Sequence, residues 1–421
     1  MAADVVVVGA GPGGSAAAHW LARAGADVLV LERARFPRDK SCGDGVTAHA
    51  VDILADLGVT FDAFEGRGVR TFGGRIGGPS GGTFRAQPPA NERGERVECW
   101  VVPRMILDET LARSAARAGA ALREGTLVTS VVRKNGKVVA VEASDGNGVE
   151  RIACKVVIGA DGAHSTVARS LGLKENPPAH LGFALRGYYE NVAGLGDDLE
   201  LFYYDRQTLP GYGWIFPTGE RSANIGVGIY MGELRRSKKK LRELLDEFMT
   251  HTPGVAARCR DARLAGRTIG WPLPISSAGR RSVFDGAMLV GDAASLVDPL
   301  TGEGIYTALV SGRSAARAAL SGLAHGDVSR AALSSHEREW KAAAGGYLSS
   351  GRLLKNLAKS PQLLDLIVRR AGESEYYASR SIGYGLGTLD RRRVLRSIVM
   401  KALFNPLFFT SRRARQAAES N

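Results

Sequence analysis

Six residues, Gly9-Ala10-Gly11-Pro12-Gly13-Gly14, constrain the fold of this chain more than any other segment. They follow Asp4-Val5-Val6-Val7-Val8, a short β-branched run bounded by glycine that reads as a buried parallel strand. They open an Ala-rich stretch, 14–24, whose helical spacing stops at Gly25, a C-capping residue. Residues 27–31 read as a second strand ending in Glu32, 18 positions after Gly14. Together these form a βαβ unit of about 30 residues. Gly9 permits the tight turn, Gly11 lets backbone approach a diphosphate, and Gly14 lets helix and strand pack closely. The helix N-terminus offers N–H groups and a positive dipole to the anion, while Glu32 accepts hydrogen bonds from ribose hydroxyls. A glycine-rich turn alone is common. Flanked by this strand, helix and acid, it predicts dinucleotide binding, without separating FAD from NAD.

A chain of 421 residues, 44% hydrophobic and 24% charged, exceeds one ordinary core. It predicts two or three domains, or a large α/β body carrying an insertion. No apolar run reaches the roughly 18 residues that span a bilayer. The first strand begins almost at Met1, leaving no room for a signal peptide, so the cytoplasm is the expected compartment. Cys42, Cys99, Cys154 and Cys259 are scattered without metal-ligand spacing and are expected as free thiols, with no metal site. The net charge of +13 raises nucleic acid as a partner, but the basic residues are spread out and no aromatic-plus-basic stripe accompanies them. Two clusters stand out, Arg235-Arg236-Ser237-Lys238-Lys239-Lys240 opening a helix-like stretch and Arg391-Arg392-Arg393 before an apolar and basic tail. Solvated helix faces and attraction to an anionic membrane surface both account for them.

Further along, 105–118 reads as a helix, 126–133 and 137–143 as a hairpin closed by Lys134-Asn135-Gly136, and 155–159 as a strand leading into Asp161-Gly162. Between about 175 and 275 short β-type segments (182–190, 199–204, 212–216 and 223–230) alternate with Gly, Pro and Asp signals, predicting an antiparallel sheet. A strand at 286–290 runs into Gly291-Asp292, a helix follows at about 303–322, and 328–421 is mostly helical by pattern.

Asp161-Gly162-Ala163-His164-Ser165 and Gly291-Asp292-Ala293-Ala294, the latter continuing through Asp298-Pro299 to Thr301-Gly302-Glu303-Gly304, each follow a hydrophobic strand. With the N-terminal unit they resemble the flavoprotein superfamily of p-hydroxybenzoate hydroxylase. That resemblance implies FAD, with Asp292 at the ribityl chain and Pro299, Gly302 and Gly304 at a helix start facing the flavin ring. A helix dipole there stabilises the negative charge of reduced flavin. Asp161, Gly162, Gly291, Arg33, Cys42, Gly43 and Arg104, the last in Val102-Pro103-Arg104, are implied as further cofactor contacts.

Lys40-Ser41-Cys42-Gly43-Asp44-Gly45 and the segment Leu209 to Pro217, containing Tyr212-Gly213-Trp214-Ile215-Phe216-Pro217 and followed by Asn224-Ile225-Gly226-Val227-Gly228, narrow the likeness to the geranylgeranyl reductase family. Asp44 stands where a second glycine is frequent, a form that resembles the actinobacterial menaquinone-reductase branch. The implied fold is α/β: a Rossmann-type FAD-binding domain (1–75, 101–174 and 276–327), an inserted antiparallel-sheet substrate domain (76–100 and 175–275) and a helical C-terminal region (328–421). Alternation puts Tyr212, Trp214 and Phe216 on one face, as the floor of an elongated apolar cavity or as plain sheet core. The implied activity is saturation of C=C bonds in an isoprenoid chain by hydride from reduced flavin. Tyr212 and Cys42 are the candidate catalytic residues, and NAD(P)H or a donor protein supplies electrons transiently. Peripheral membrane contact would suit the basic surface and the tail Ala402 to Phe409 with Arg412-Arg413. A flavin monooxygenase acting on an aromatic or polyketide substrate, a flavin-dependent halogenase, and a non-catalytic flavin binder remain as alternatives.

Overall fold

The computed structural model describes residues 2–91, 94–276 and 280–389. The Arg391–Arg393 run and the apolar, basic tail after it lie outside the described residues.

One sheet has eight strands, and its centre is parallel. Ala2–Val8 lies between Val28–Glu32 and Val149–Gly159, with Ala121–Glu124 and Ala287–Leu289 extending it on either side. The continuous valine run forms the middle strand because both its faces are covered. Val5 and Val7 pack with the helices Pro12–Arg23, Arg104–Arg117 and Ile305–Ala324. Val6 and Val8 pack against the hairpin Leu127–Lys134/Lys137–Ser144 and the helix Thr166–Ser170. Burying each such side chain stabilises the fold by about 1.5–3 kcal/mol. Gly13 and Gly312 bring two of those helices into backbone contact, since a Cβ on Gly312 would lie 2.3 Å from the Gly13 carbonyl oxygen.

The second sheet has seven strands in the order Arg263–Pro274, Leu181–Glu190, Ser222–Tyr230, Tyr212–Pro217, Asp198–Phe202, Gly73–Gly77 and Thr83–Ala86. It is antiparallel except where Asp198–Phe202 runs parallel to Gly73–Gly77. That parallel partner was not anticipated, because Gly-Gly-Arg-Ile-Gly carries almost no β-branched signal. Helix Leu241–His251 covers the back of this sheet: Phe248 packs with Ile215, Ile225 and Val227, and a Cβ on Gly213 would lie 2.6 Å from the Phe248 ring. The front is left for the site. The basic cluster at 235–240 bridges two helices, and its last residue, Lys240, is the N-cap of Leu241–His251. The cluster ends the helix Met231–Ser237 and turns left-handed at Lys238 (φ +55). Helices Ser335–Leu357, Pro361–Gly372 and Glu375–Gly385 follow. Among the described residues no helix is long and apolar enough to cross a membrane, no cluster of metal-ligating side chains occurs, and the four cysteines are free.

Candidate cofactor and substrate site

The three fingerprint glycines have different surroundings. Gly9 takes φ +97, and a Cβ there would sit 2.5 Å from the Ala160 carbonyl oxygen. A Cβ on Gly14 would sit 1.9 Å from the Gly9 oxygen. Gly11 has nothing within 4 Å of its missing Cβ and fronts a cavity of about 600 Å³. The turn is thus pinned on its protein side and bare on its cavity side, and no side chain caps the helix it opens. Backbone with those properties fits a diphosphate. Glu32, buried beside the turn, accepts from the Ala10 and Ala34 N–H groups at 2.8 and 3.1 Å and meets Arg38 Nε at 3.3 Å.

The same cavity is lined by Arg33 at an exposed position, and by Gly162, Gly291, Gly302 and Gly304. Asp161 also lines it, but its carboxylate caps the helix Thr166–Ser170, accepting from Ser165 Oγ at 2.5 Å and Val167 N–H at 3.1 Å. Burial raises the Asp161 carboxyl above its ordinary range, against those two hydrogen bonds. Asp292 faces the cavity and pairs with Lys40 Nζ at 3.2 Å, a partner the sequence reading did not single out. The turn Asp298–Gly304 is held from inside and from the second sheet. Asp298 accepts from Thr301 N–H and Oγ1 at 2.9 and 2.8 Å. Tyr230 donates to the Pro299 carbonyl at 2.5 Å, and Tyr212 donates to the Thr301 carbonyl. Gly14 and Pro299 stand behind this lining rather than in it.

Tyr212, Trp214 and Phe216 face one way from their strand and line the cavity together with Leu199, Leu201 and Ile382. Trp214 leans across the neighbouring strand, where a Cβ on Gly226 would lie 2.2 Å from its ring. Burial pushes the Tyr212 hydroxyl well above its ordinary range, and its proton is already donated to Thr301. The geometry therefore gives that hydroxyl a positioning task at the 298–304 turn.

The loop Asp39–Gly45 joins the two sheets. Arg186, buried on the second sheet, binds the Asp39 carboxylate and donates to the Lys40 carbonyl at 3.2 Å. Ser41 Oγ donates to the Ile269 carbonyl at 2.9 Å. Asn224 Nδ2 donates to the Cys42 carbonyl and to Asp44 Oδ2, both at 2.8 Å, while its own oxygen accepts from Trp214 Nε1 at 2.9 Å. Gly43 and Gly45 let the loop lie flat on Phe216: a Cβ on either would come 3.0 or 3.2 Å from that ring. Cys42 lines the cavity beside Arg104, which also lines it. Arg104 is buried and forks onto Asp108 at 2.7 and 2.8 Å, and Asp108 also takes Arg38 Nη1 at 2.8 Å.

Asp44 is fully buried and left-handed (φ +66). Burial raises its carboxyl to about 6, against the Tyr188 and Asn224 hydrogen bonds and the charges of Arg186 and Arg104. Because the folded-state value lies above the unfolded one, the ionised group costs stability above both values. That cost disappears as the pH falls through about 6 towards 3.8. The expected size is about 3 kcal/mol. Denaturant unfolding should therefore find Asp44→Asn less penalised, relative to wild type, at pH 8 than at pH 5. Equal differences at the two pH values would refute the shift.

Comparison with known proteins bears on this arrangement. A family model described as an FAD binding domain matches residues 2–241. The menaquinone reductase of Mycolicibacterium smegmatis is 40% identical over 334 residues, covering 76% of this chain and 77% of that one. The digeranylgeranylglycerophospholipid reductase 1 of Methanopyrus kandleri is 35% identical over 347 residues, covering 80% and 86%. A solved geranylgeranyl bacteriochlorophyll reductase-like protein from Thermoplasma acidophilum superposes with a TM-score of 0.79 at 29% identity, covering 89% and 92%. The chain belongs to the geranylgeranyl reductase family of FAD-dependent oxidoreductases. As a member of that family it is an FAD enzyme of the p-hydroxybenzoate hydroxylase fold, as the sequence reading expected. Sequence reasoning overlooked Lys40, Asp108, Arg186, Tyr188 and Asn224 in this geranylgeranyl-reductase-type site. Lys40 and Asn224 were legible in principle, as parts of the Lys40–Gly45 and Asn224-Ile225-Gly226-Val227-Gly228 motifs, whereas Asp108, Arg186 and Tyr188 are isolated polar residues in an ordinary helix and strand.

Proposed function

We propose that this protein saturates C=C bonds of an isoprenoid chain carried on a prenyl lipid or prenylated quinone. The observation that carries the reading is one cavity running from the Gly9–Gly13 turn to an apolar wall of Leu199, Leu201, Trp214, Phe216, Ile382 and Leu386. Such a wall suits an aliphatic chain, which needs apolar contact and exclusion of water. The names of the relatives at 40% and 35% identity point the same way.

Gly9, Gly11 and Glu32 would hold the adenosine diphosphate part of FAD, and Asp292 with the Gly302–Gly304 turn its flavin part. Bound FAD, once reduced, supplies the two-electron reducing equivalent that no side chain can. The chain's own residues orient and exclude. Tyr212 fixes the Thr301 turn, Gly43 and Gly45 press the Cys42 segment onto Phe216, and the aromatic wall holds the alkene dry. NAD(P)H or a donor protein reloads the site. Entry of a lipid-borne chain calls for peripheral contact with a membrane, for which the exposed Arg235, Arg236, Lys238 and Lys240 supply charge.

Anaerobic enzyme with dithionite-reduced FAD should add about two mass units per saturated bond to a prenyl substrate. No mass gain on prenyl phosphates, prenyl lipids and menaquinones alike would sink the proposal. Phe216→Ala removes about 1.5–3 kcal/mol of apolar contact. It should raise KM for a long-chain substrate by roughly tenfold or more while kcat stays within about threefold. A large kcat loss at unchanged KM would remove Phe216 from the substrate wall.

A further inference from the structure

Five ion pairs lie around the Asp39–Gly45 loop: Lys40 with Asp292, Arg186 with Asp39, Arg104 with Asp108, and Arg38 with both Glu32 and Asp108. Asp44, at the centre of this group, has a different environment. Its oxygens accept from neutral donors: the Tyr188 hydroxyl at 2.7 Å, the Asn224 amide at 2.8 Å and the Arg104 backbone N–H at 3.3 Å. Among the described residues no salt bridge reaches it, and the guanidinium groups of Arg186 and Arg104 act on it only through space. It is 0% exposed and lies between Gly43 and Gly45, which line the cavity shared with Gly291, Asp292 and the Gly302–Gly304 turn. A buried carboxylate without its own cation is costly, and such groups cluster where a change of charge is part of the chemistry.

We propose that Asp44 takes up a proton when the bound flavin is reduced, coupling cofactor reduction to protonation of this carboxylate. In a two-electron reduction by dithionite, one proton enters the cofactor with the electrons, which leaves one added negative charge beside the loop. A second proton passes from solvent to an Asp44 carboxylate oxygen, forming one O–H bond and breaking none in the protein. The site then gains no net charge. A new negative charge in a poorly solvated neighbourhood raises the affinity of a nearby carboxylate for a proton.

The groups acting on Asp44 are Arg186 and Tyr188 on one strand, Asn224 on the next and Arg104 on the helix, with Asp39, Lys40 and Cys42 on its own loop and Asp108 paired to Arg104. Arg104, Arg186 and Tyr188 are held in their protonated forms and Asp108 in its ionised form. Asp44, raised to about 6 by burial, is ionised at neutral pH yet close to protonation. Its left-handed backbone is one that Asn also tolerates, so the charge can be removed without straining the loop.

The test is the midpoint potential of the bound FAD, titrated with dithionite against reference dyes between about pH 6 and 8. Wild type should take up two protons per two electrons near neutral pH, and Asp44→Asn one. Tyr188→Phe deletes a donor to the carboxylate and should carry the two-proton regime to higher pH. Reduction-induced infrared difference spectra should contain a protonated-carboxyl band in wild type and Tyr188→Phe that Asp44→Asn lacks. Equal proton uptake in wild type and Asp44→Asn would overturn the proposal. Should Asp44→Asn fail to fold, absence of the carboxyl band from wild type at neutral pH would overturn it alone. None of these readouts depends on which substrate the enzyme reduces.

Discussion

Gly14→Ala is expected to purify without flavin and with lowered stability, whereas Gly11→Ala should lose flavin while keeping wild-type stability. The contrast follows from what each new methyl group meets. At position 14 it would fall 1.9 Å from the Gly9 oxygen and 3.0 Å from the Ala160 side chain, so helix Pro12–Arg23 must move off the strand that holds the turn. Overpacking of that kind costs about 1–3 kcal/mol, and it displaces the backbone the diphosphate needs. At position 11 the methyl meets nothing within 4 Å, and the backbone there, φ −75, suits alanine. It enters the cavity side alone. Flavin-to-protein absorbance ratios, apoprotein titration with FAD and thermal unfolding of the apoproteins separate the two effects. Flavin affinity in Gly11→Ala within about threefold of wild type would refute diphosphate binding at this turn, since a clash there should cost at least 1 kcal/mol.

Asp108→Ala is expected to destabilise the apoprotein by about 3–5 kcal/mol, the range for breaking a buried pair from one side. Asp108 is 0% exposed and receives both prongs of Arg104 as well as Arg38, so truncation leaves the buried Arg104 without a carboxylate while Arg38 keeps Glu32. The coupling works in both directions. Burial, the largest single influence, disfavours the charged form of Arg104, but Asp108 and Cys42 together outweigh it and hold the guanidinium protonated. The double change Arg104→Met with Asp108→Leu removes the charges together and should cost less than Asp108→Ala alone. Denaturant unfolding of the three proteins checks this, and a loss below about 1 kcal/mol for Asp108→Ala would show the pair to be solvated.

Local chemistry was enough to read the dinucleotide-binding fold. A strand, a glycine turn, a helix and an acid at the right interval are written within about 30 residues, and their geometry depends mostly on one another. The same holds for the Gly291–Asp292 and Thr301–Gly304 segments, and for the alternation that sets Tyr212, Trp214 and Phe216 on one face. The likeness to the geranylgeranyl reductase family rested on the Lys40–Gly45 and Leu209–Pro217 segments added to those motifs, and it stands. Two details were not legible locally. The Gly73–Gly77 strand lacks β-branched residues and forms because Asp198–Phe202 offers it a parallel edge. The basic run 235–240 is not one helical stretch: it ends Met231–Ser237 at Lys238 before Lys240 caps the next helix.

Sequence alone determined the FAD fold and the family, because both rest on short motifs whose backbone geometry is imposed largely by near neighbours. Only the tertiary structure decided what surrounds the Lys40–Gly45 loop. Tyr188 and Asn224 reach Asp44 across 144 and 180 positions of chain, and Tyr212 reaches Thr301 across 89. The charge state of a buried carboxylate depends on which donors and cations end up around it. That is a property of packing between two sheets, and no local pattern encodes it.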